Sequence, residues 1–346
     1  MAGASVETTL ELWASSLRDV KARIRPLFSQ ERVAVSAGKF LDGLLGNEPR
    51  KTGWMRGEAA GDSGPWRQQA ILGRGRWDAD ALREIVREYA LETLAEETAV
   101  LVIDETGFLK QGKASCGVAR QYTGSAGKIT NCQIGVFASY VSRHGHAFID
   151  RELYLPKEWT DDADRLKAAH VPDEVGFATK PQIAHRMIAR ALAAKVPFAF
   201  VAADSVHGTG DIETMLRKAG KGYVLGVAAN YVFRSWGKKQ LIGGTAAKIA
   251  QSLPKSAWRR LSSGEGRLGL SRTRRPRCRA IQQHTHGGVD ARVADPPQHC
   301  RWCYGVLLHL VPQGPAREKI DRGGGPSLGH RRQLRVRQER TRPRSQ

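Results

Sequence analysis

Apolar positions recur at helical spacing from the start of the chain. Residues 7–25 carry Leu10, Leu12, Trp13, Leu17, Val20 and Ile24, and 31–45 repeat the pattern with Val33, Phe40, Leu41, Leu44 and Leu45. The stretch GNEPRKTGW interrupts it with Gly, Asn and Pro. A short helix is expected over 65–72. A longer one follows, ALREIVREYALETLA, which Asp78 or Asp80 can cap. Residues 1–95 therefore read as an all-helical domain.

From Thr98 the period changes. TAVLVIDET reads as a buried strand, apolar until it meets two acids. ITNCQIGVFASYVS and HAFIDRELYLP are two longer strands around the turn RHGH. A loop KEWTDDADR and a short helix lead to PQIAHRMIARALAAK, whose Ile183, Met187, Ile188, Ala191 and Leu192 share one helical face. PFAFVAADS is again a buried strand ending in an acid. GDIETMLRKAG is a short helix closed by Gly220, and YVLGVAA is the last strand. Parallel strands need crossovers, and helices separate the later strands, so the fold class is α/β with a sheet flanked by helices. There is no internal repeat.

Composition sharpens this picture at the C-terminal end. Over 346 residues, 55 Lys and Arg face 34 Asp and Glu, a formal charge of +21 that suits a polyanion such as DNA or RNA. The excess is uneven: residues 259–346 hold 20 Lys and Arg against 6 Asp and Glu, and Lys319 alone among those 20 is Lys. Periodicity stops near Arg260, apart from one short apolar stretch at 304–311. Such composition predicts a disordered basic tail that grips phosphates. Five cysteines scattered over a long chain point to a reducing compartment. No run of eighteen apolar residues marks a membrane span, and the N-terminus does not read as a secretory signal. A cytoplasmic protein with no membrane partner is expected.

Within the helical region, basic and aromatic residues gather in the turns: Arg50, Lys51, Trp54, Arg56, Trp66, Arg67, Arg74, Arg76 and Trp77. One reading is a DNA-binding domain whose helix ends and Arg side chains meet phosphate. The other is a packing or dimerisation domain with a solvated basic face. Further along, Lys110 and Arg120 follow the first strand-end acid, as phosphate contacts or as ordinary solvated charge.

Two aspartates share one local setting. Asp104 ends V-L-V-I-D and Asp204 ends F-V-A-A-D, and ligands of open α/β sheets gather at the carboxyl ends of strands. Two carboxylates meeting there repel unless a cation sits between them, and hard divalent cations prefer carboxylate oxygens. A metal pair so held supports phosphoryl transfer. The plainer alternative is that strand-end acids cap the following loop. Glu105 is expected to point to the opposite face. His207, three residues beyond Asp204, is expected to make a loop hydrogen bond or to approach a scissile phosphate.

At these residues the chain resembles a known family. IDETGFLKQGKASCGVARQYTGSAGKITNCQIGVFASYVS, DRELYLPKEWTDD, FATKPQIAHRMIARAL and AADSVHGTGDIE look like the core of bacterial insertion-sequence transposases of the DDE superfamily, and more narrowly of insertion-sequence group seven hundred and one. The likeness runs from about Trp13 to Arg260 and includes GWMRGEAAGD and RWDADALREIVREY. It implies an RNase H-like catalytic domain over 96–260 after the helical 1–95, with 261–346 as a separate tail. It implies Mg2+- or Mn2+-dependent cleavage at transposon ends and transfer of the 3′-hydroxyl into target DNA. Asp104 then matches the first catalytic acid and Asp204 the second. The partners implied are the terminal inverted repeats and target DNA, with two copies held together on DNA as a homodimer.

The family's third acid is a Glu on a C-terminal helix, in a context like R-W-A-I-E-D-S-F-E-x-A-K, and nothing after Arg260 matches it. Glu265, Glu318 and Glu339 are the glutamates left, each among Gly, Pro or Arg. Out-of-frame reading of GC-rich DNA yields Arg, Gly and Pro in excess. Back-translating 289–346 and reading one nucleotide later can spell WTRGLLIRRNIADG, then AFFSTWCP, then KLIAVEGHRWAIEDSFECAKNELGLDH. The Glu codon would straddle Arg331 and Arg332, and the frame would change between residues 264 and 276. A frameshifted copy with impaired catalysis is expected. The alternative function is a non-catalytic DNA-binding relic that occupies transposon ends and inhibits an intact transposase.

Other motifs carry less. Cys300-x-x-Cys303, near Cys278, His284, His286 and His299, has the spacing of half a zinc site. Cys116 and Cys132 read as small buried residues rather than nucleophiles. No G-x-x-x-x-G-K-[ST] implies ATP.

Overall fold

The computed structural model describes residues 6–208, 210–234 and 243–252, together with the backbone of strands at 258–260, 277–283, 289–294 and 306–310. The chain divides into two compact units, Met1–Glu92 and Thr93–Gln346.

The first unit is helical. α1 (Val6–Ile24) and α2 (Glu31–Leu45) match the periodic stretches, α4 (Trp66–Gly73) the short helix, and α5 (Ala79–Leu94) the longer one. Asp78 caps α5: its Oδ1 accepts from the backbone N–H groups of Asp80 and Ala81 at 2.8 and 2.9 Å. A further helix, α3 (Gly53–Ala59), begins inside the stretch that had read as a break. Thr52 makes it possible, accepting from the N–H of Met55 at 3.2 Å, so the N-cap outweighs the glycines.

In the second unit a mixed sheet is flanked by helices, the α/β class expected. β1 (Val100–Leu109) runs antiparallel to β3 (Lys128–Ser142), which in turn pairs with β4 (Gly145–Tyr154) and with β2 (Ala119–Thr123). On its other edge β1 pairs in parallel with β5 (Phe200–Ala203), and β5 in parallel with β6 (Gly222–Val227). The short β2 had no signal of its own in the sequence. It is held by its ladder with β3.

The loop after β4 is also more ordered than expected. α6 (Lys157–Thr160) is a helical turn whose Trp159 is buried and donates its indole N–H to the Val118 carbonyl at 2.8 Å. It joins Val118 and Leu155 in a small cluster that Leu166 of α7 (Ala163–Ala168) flanks.

α8 (Lys180–Ala193) starts at a capping box formed by Thr179 and Gln182 and packs on β3 and β4. It buries Ile183, Ala184, Met187, Ile188 and Ala191, with Ile183, Met187 and Ile188 each contributing about 2 kcal/mol. Its polar positions pair with the same sheet. Arg190 Nε donates to Asp150 Oδ2 at 2.8 Å, and Lys180 Nζ to Glu105 Oε1 at 2.7 Å. α9 (Gly210–Lys218) then links β5 to β6, as a parallel pair requires.

A two-stranded piece, β7 (Val232–Arg234) with β8 (Gly243–Thr245), and α10 (Ala246–Ser252) follow. Next comes β9 (Trp258–Arg260). Within 261–346, backbone strands β10 (Arg277–Gln283), β11 (Val289–Ala294) and β12 (Val306–Leu310) are described, and β12 pairs antiparallel with β6. The last of these falls in the apolar stretch noted in the tail. The rest of 261–346 lies outside the described residues, as do the side chains of Cys278, His284, His286, His299, Cys300 and Cys303, and the segments holding Glu265, Glu318 and Glu339.

Candidate catalytic site

Register and side-chain parity bring the two aspartates together. The parallel pairing of β1 with β5 runs Val100–Phe200, Leu101–Val201, Val102–Ala202 and Ile103–Ala203. The next residue on each strand is Asp104 and Asp204. Val102 and Ala202 pack in one cluster with Val100, so they share a sheet face. Two residues further along, alternation returns each strand to that face. Asp104 lies midway along β1, which continues to Leu109, and not at its end as the sequence suggests, while Asp204 directly follows the last residue of β5, so the two acids follow directly on the last parallel pair of neighbouring strands spaced about 4.8 Å apart.

The backbone holds each carboxylate. Asp104 is half-buried, and its Oδ1 accepts from the N–H of Glu105 at 2.8 Å. Asp204, whose side chain is 30% exposed, accepts at Oδ1 from the N–H of Val206 at 3.0 Å. His207 Nδ1 lies 3.1 Å from the same oxygen. A carboxylate only accepts, so this contact places the proton on Nδ1. His207 is fully buried, and its Nε2 has no hydrogen-bond partner among the described residues. Of the two roles weighed for it, the loop hydrogen bond is the one seen.

The loop from Asp204 to Gly208 lies directly on β6. A Cβ at Gly226 would sit 2.7 Å from the Ser205 nitrogen and 2.9 Å from the Asp204 carbonyl carbon, and one at Gly208 would sit 1.9 Å from the Gly226 oxygen. No side chain fits at either place. These two glycines set the position of Asp204, and sequence reasoning missed them because their role depends on a cross-strand approach.

Glu105 points away from the aspartates, as expected from its odd position on β1. It pairs with Lys180, and its second carboxylate oxygen is buried without a partner among the described residues. Two carboxylates on one face suit a hard divalent cation in the chemistry of their donor atoms. They fit as two ligands of such a site. Among the described residues, no group of three or more His, Cys, Asp or Glu could hold a metal.

The basic residues fall into distinct settings. Arg50, Arg74 and Arg76 are exposed. Arg67 is 74% exposed, with a long 3.4 Å contact to Asp62. Lys51 donates to the Gly46 carbonyl and lies 3.6 Å from Glu48. Arg56 is different and corrects the expectation of a phosphate contact. It is 8% exposed, its guanidinium stacks 4.2 Å from the Phe40 ring centre, and burial lowers its pKa. An arginine so enclosed packs the helical unit and meets no phosphate. In the second unit Arg120 is exposed on β2, while Lys110 is half-buried and its backbone pairs with Asn131. Cys132 is buried as expected and Cys116 only half-buried; burial raises the pKa of both thiols, which does not suit nucleophiles.

No described helix is long and apolar enough to cross a membrane. Residues 26–241 match the family described as DDE superfamily endonuclease. A protein of Microchaete diplosiphon described as a probable transposase for insertion sequence element IS701 is 30% identical over 158 residues. That alignment covers 45% of this chain and 38% of the relative. The family match takes in α2 to β7 and both strand-end aspartates, and on it the chain belongs to the DDE superfamily endonucleases.

Proposed function

We propose that the chain derives from an insertion-sequence transposase that binds element ends and cleaves DNA at a metal site built on Asp104 and Asp204. The observation that supports this is the register of β1 and β5, in which Asp104 and Asp204 directly follow the paired Ile103 and Ala203. When bound there, a Mg2+ or Mn2+ ion supplies charge neutralisation at a phosphate and a more acidic water. The chain's own part is positional. The Glu105 and Val206 N–H groups fix one oxygen of each acid, and His207 holds Asp204 from the buried side. The exposed Arg50, Arg67, Arg74, Arg76 and Arg120, with Lys51 and Lys110, are proposed to meet phosphates. Two copies are proposed to hold the element's ends together.

We further propose that this copy is catalytically impaired. After Arg260 no glutamate stands in the helical context of the family's third acid, while the shifted frame of 289–346 can spell that context in full. Outside Arg, Leu and Ser the first two codon bases are fixed, so agreement over this length is not an accident of codon degeneracy. A two-carboxylate site holds a metal weakly, and the chain is left with DNA binding. It would then occupy element ends without cutting them and inhibit an intact copy.

Titration of the 346-residue chain with Mn2+, followed by electron paramagnetic resonance, tests the metal site without activity. Weak binding that Asp104→Asn or Asp204→Asn abolishes supports it. Binding unchanged in both variants contradicts it.

A further inference from the structure

Three tryptophans fall within residues 49–77, and the fold treats them differently. Trp77 is anchored: its indole N–H donates to the Ile71 carbonyl at 2.9 Å and its ring meets Phe28 at 6.4 Å. Trp54 and Trp66 are 63% and 65% exposed, and their rings meet edge-on with centroids 5.9 Å apart. Neither indole N–H has a hydrogen-bond partner among the described residues.

These exposed rings are nonetheless held in place. Thr52 caps α3 and so fixes the backbone that carries Trp54, whose ring meets Trp66. Trp66 opens α4, and its ring lies over Gly64, where a Cβ would stand 1.9 Å from ring carbon Cζ3. Any other residue at 64 would displace the ring. A pre-set aromatic surface loses little freedom when something stacks on it.

The surroundings favour a polyanion. Residues 49–77 carry six Lys and Arg against two Asp and Glu. One of those cations, Arg56, is buried, but Arg50, Arg67, Arg74 and Arg76 face solvent. Of the acids, Asp62 has a side chain only 3% exposed and accepts from Gln68 Nε2 at 2.9 Å. Exposed cations alone would serve any duplex. Fixed indoles add a surface for π faces, which paired and stacked bases do not offer.

We propose that Trp54 and Trp66 form a stacking platform for an unpaired base of DNA, with the neighbouring arginines on the flanking phosphates. The inference rests on the DNA-binding reading of the helical unit and goes beyond it by naming the state of the DNA. One stacked base is worth about 1–3 kcal/mol, or roughly five- to more than a hundredfold in affinity.

The test uses the full chain and two short duplexes, one fully paired and one with a single unpaired fluorescent aminopurine. Wild type is expected to bind the second at least fivefold more tightly and to quench its fluorescence. The double variant Trp54→Leu with Trp66→Leu should lose that preference and keep its affinity for the paired duplex, while Trp66→Phe should retain part of it. Arg67→Gln with Arg74→Gln should weaken both duplexes and flatten the salt dependence. Equal affinity of wild type for the two duplexes, or a preference that survives loss of both tryptophans, overturns the inference while leaving DNA binding intact. Failure to bind either duplex removes the DNA-binding reading, and the platform with it. If the leucine variants change the oligomeric state and not the base preference, the pair is a protein interface and the inference is wrong.

Discussion

Gly226 decides how closely the Asp204 loop can approach its neighbouring strand. Its hydrogen occupies a space in which a methyl group would meet both the Ser205 nitrogen and the Asp204 carbonyl carbon at under 3.0 Å. Backbone atoms on both sides cannot give way as a flexible side chain could. Gly226→Ala is therefore expected to cost about 2 kcal/mol in urea denaturation, in the range of overpacked sites. It should also weaken Mn2+ binding, because the loop it displaces carries Asp204. The same scale explains one failed expectation. Arg56 looks in sequence like its neighbours Lys51 and Arg67, and nothing local announces that Phe40 and Gly43 enclose it. His207 is the reverse case: three residues from an acid was enough to expect a loop hydrogen bond, but its complete burial comes from tertiary packing.

Among the elements, α8 carries most of the coupling between helix and sheet. Thr179 starts it with a reciprocal cap, its backbone N–H donating to Gln182 Oε1 at 2.8 Å. Thr179→Ala should destabilise the fold by about 1 kcal/mol, read from thermal or urea unfolding. Arg190 matters more. It joins Asp150, whose side chain is 7% exposed, and reaches Glu152 at 3.1 Å. Arg190→Met strips a largely buried carboxylate of its cation and is expected to cost about 3 kcal/mol, whereas replacing Arg190 and Asp150 together by apolar residues should cost less. A double-variant cost equal to the sum of the two single-variant costs would show that the pair contributes nothing specific. The sequence made α8, β1, β3, β4, β5 and β6 legible because each buries a periodic or continuous apolar set. It hid α3 behind Gly53 and Gly57, whose helix depends on the Thr52 cap, and hid β2, five residues long, whose ladder with β3 supplies the order.

For the molecule as a whole, two fully buried tyrosines set an alkaline limit. Burial raises the pKa of Tyr140 and, most strongly, of Tyr223. Each is a neutral acid in the fold that would ionise near pH 10 when unfolded. The unfolded state therefore binds fewer protons above that pH, and stability falls as pH rises through the ordinary tyrosine range. Tyrosinate absorbance from these residues should appear together with loss of circular dichroism. Full ionisation at the ordinary value in a still-folded chain would contradict their burial.

At that scale the candidate site was half legible. Two apolar runs each meeting an acid could be read directly, though the first strand continues past its acid to Leu109, and that residues 103 and 203 are partners follows from the sheet order and from no local signal. The most direct test of the account is nicking, with Mg2+ or Mn2+, of a plasmid carrying the element ends that flank the gene. Three proteins are compared: the 346-residue chain, the chain with its reading frame restored after Arg260, and the restored chain with Asp104→Asn or Asp204→Asn. The restored chain should cut, either asparagine variant of it should not, and the 346-residue chain should bind the ends and leave them whole. Cutting by the 346-residue chain at the restored chain's rate, or by the asparagine variants, would contradict the account.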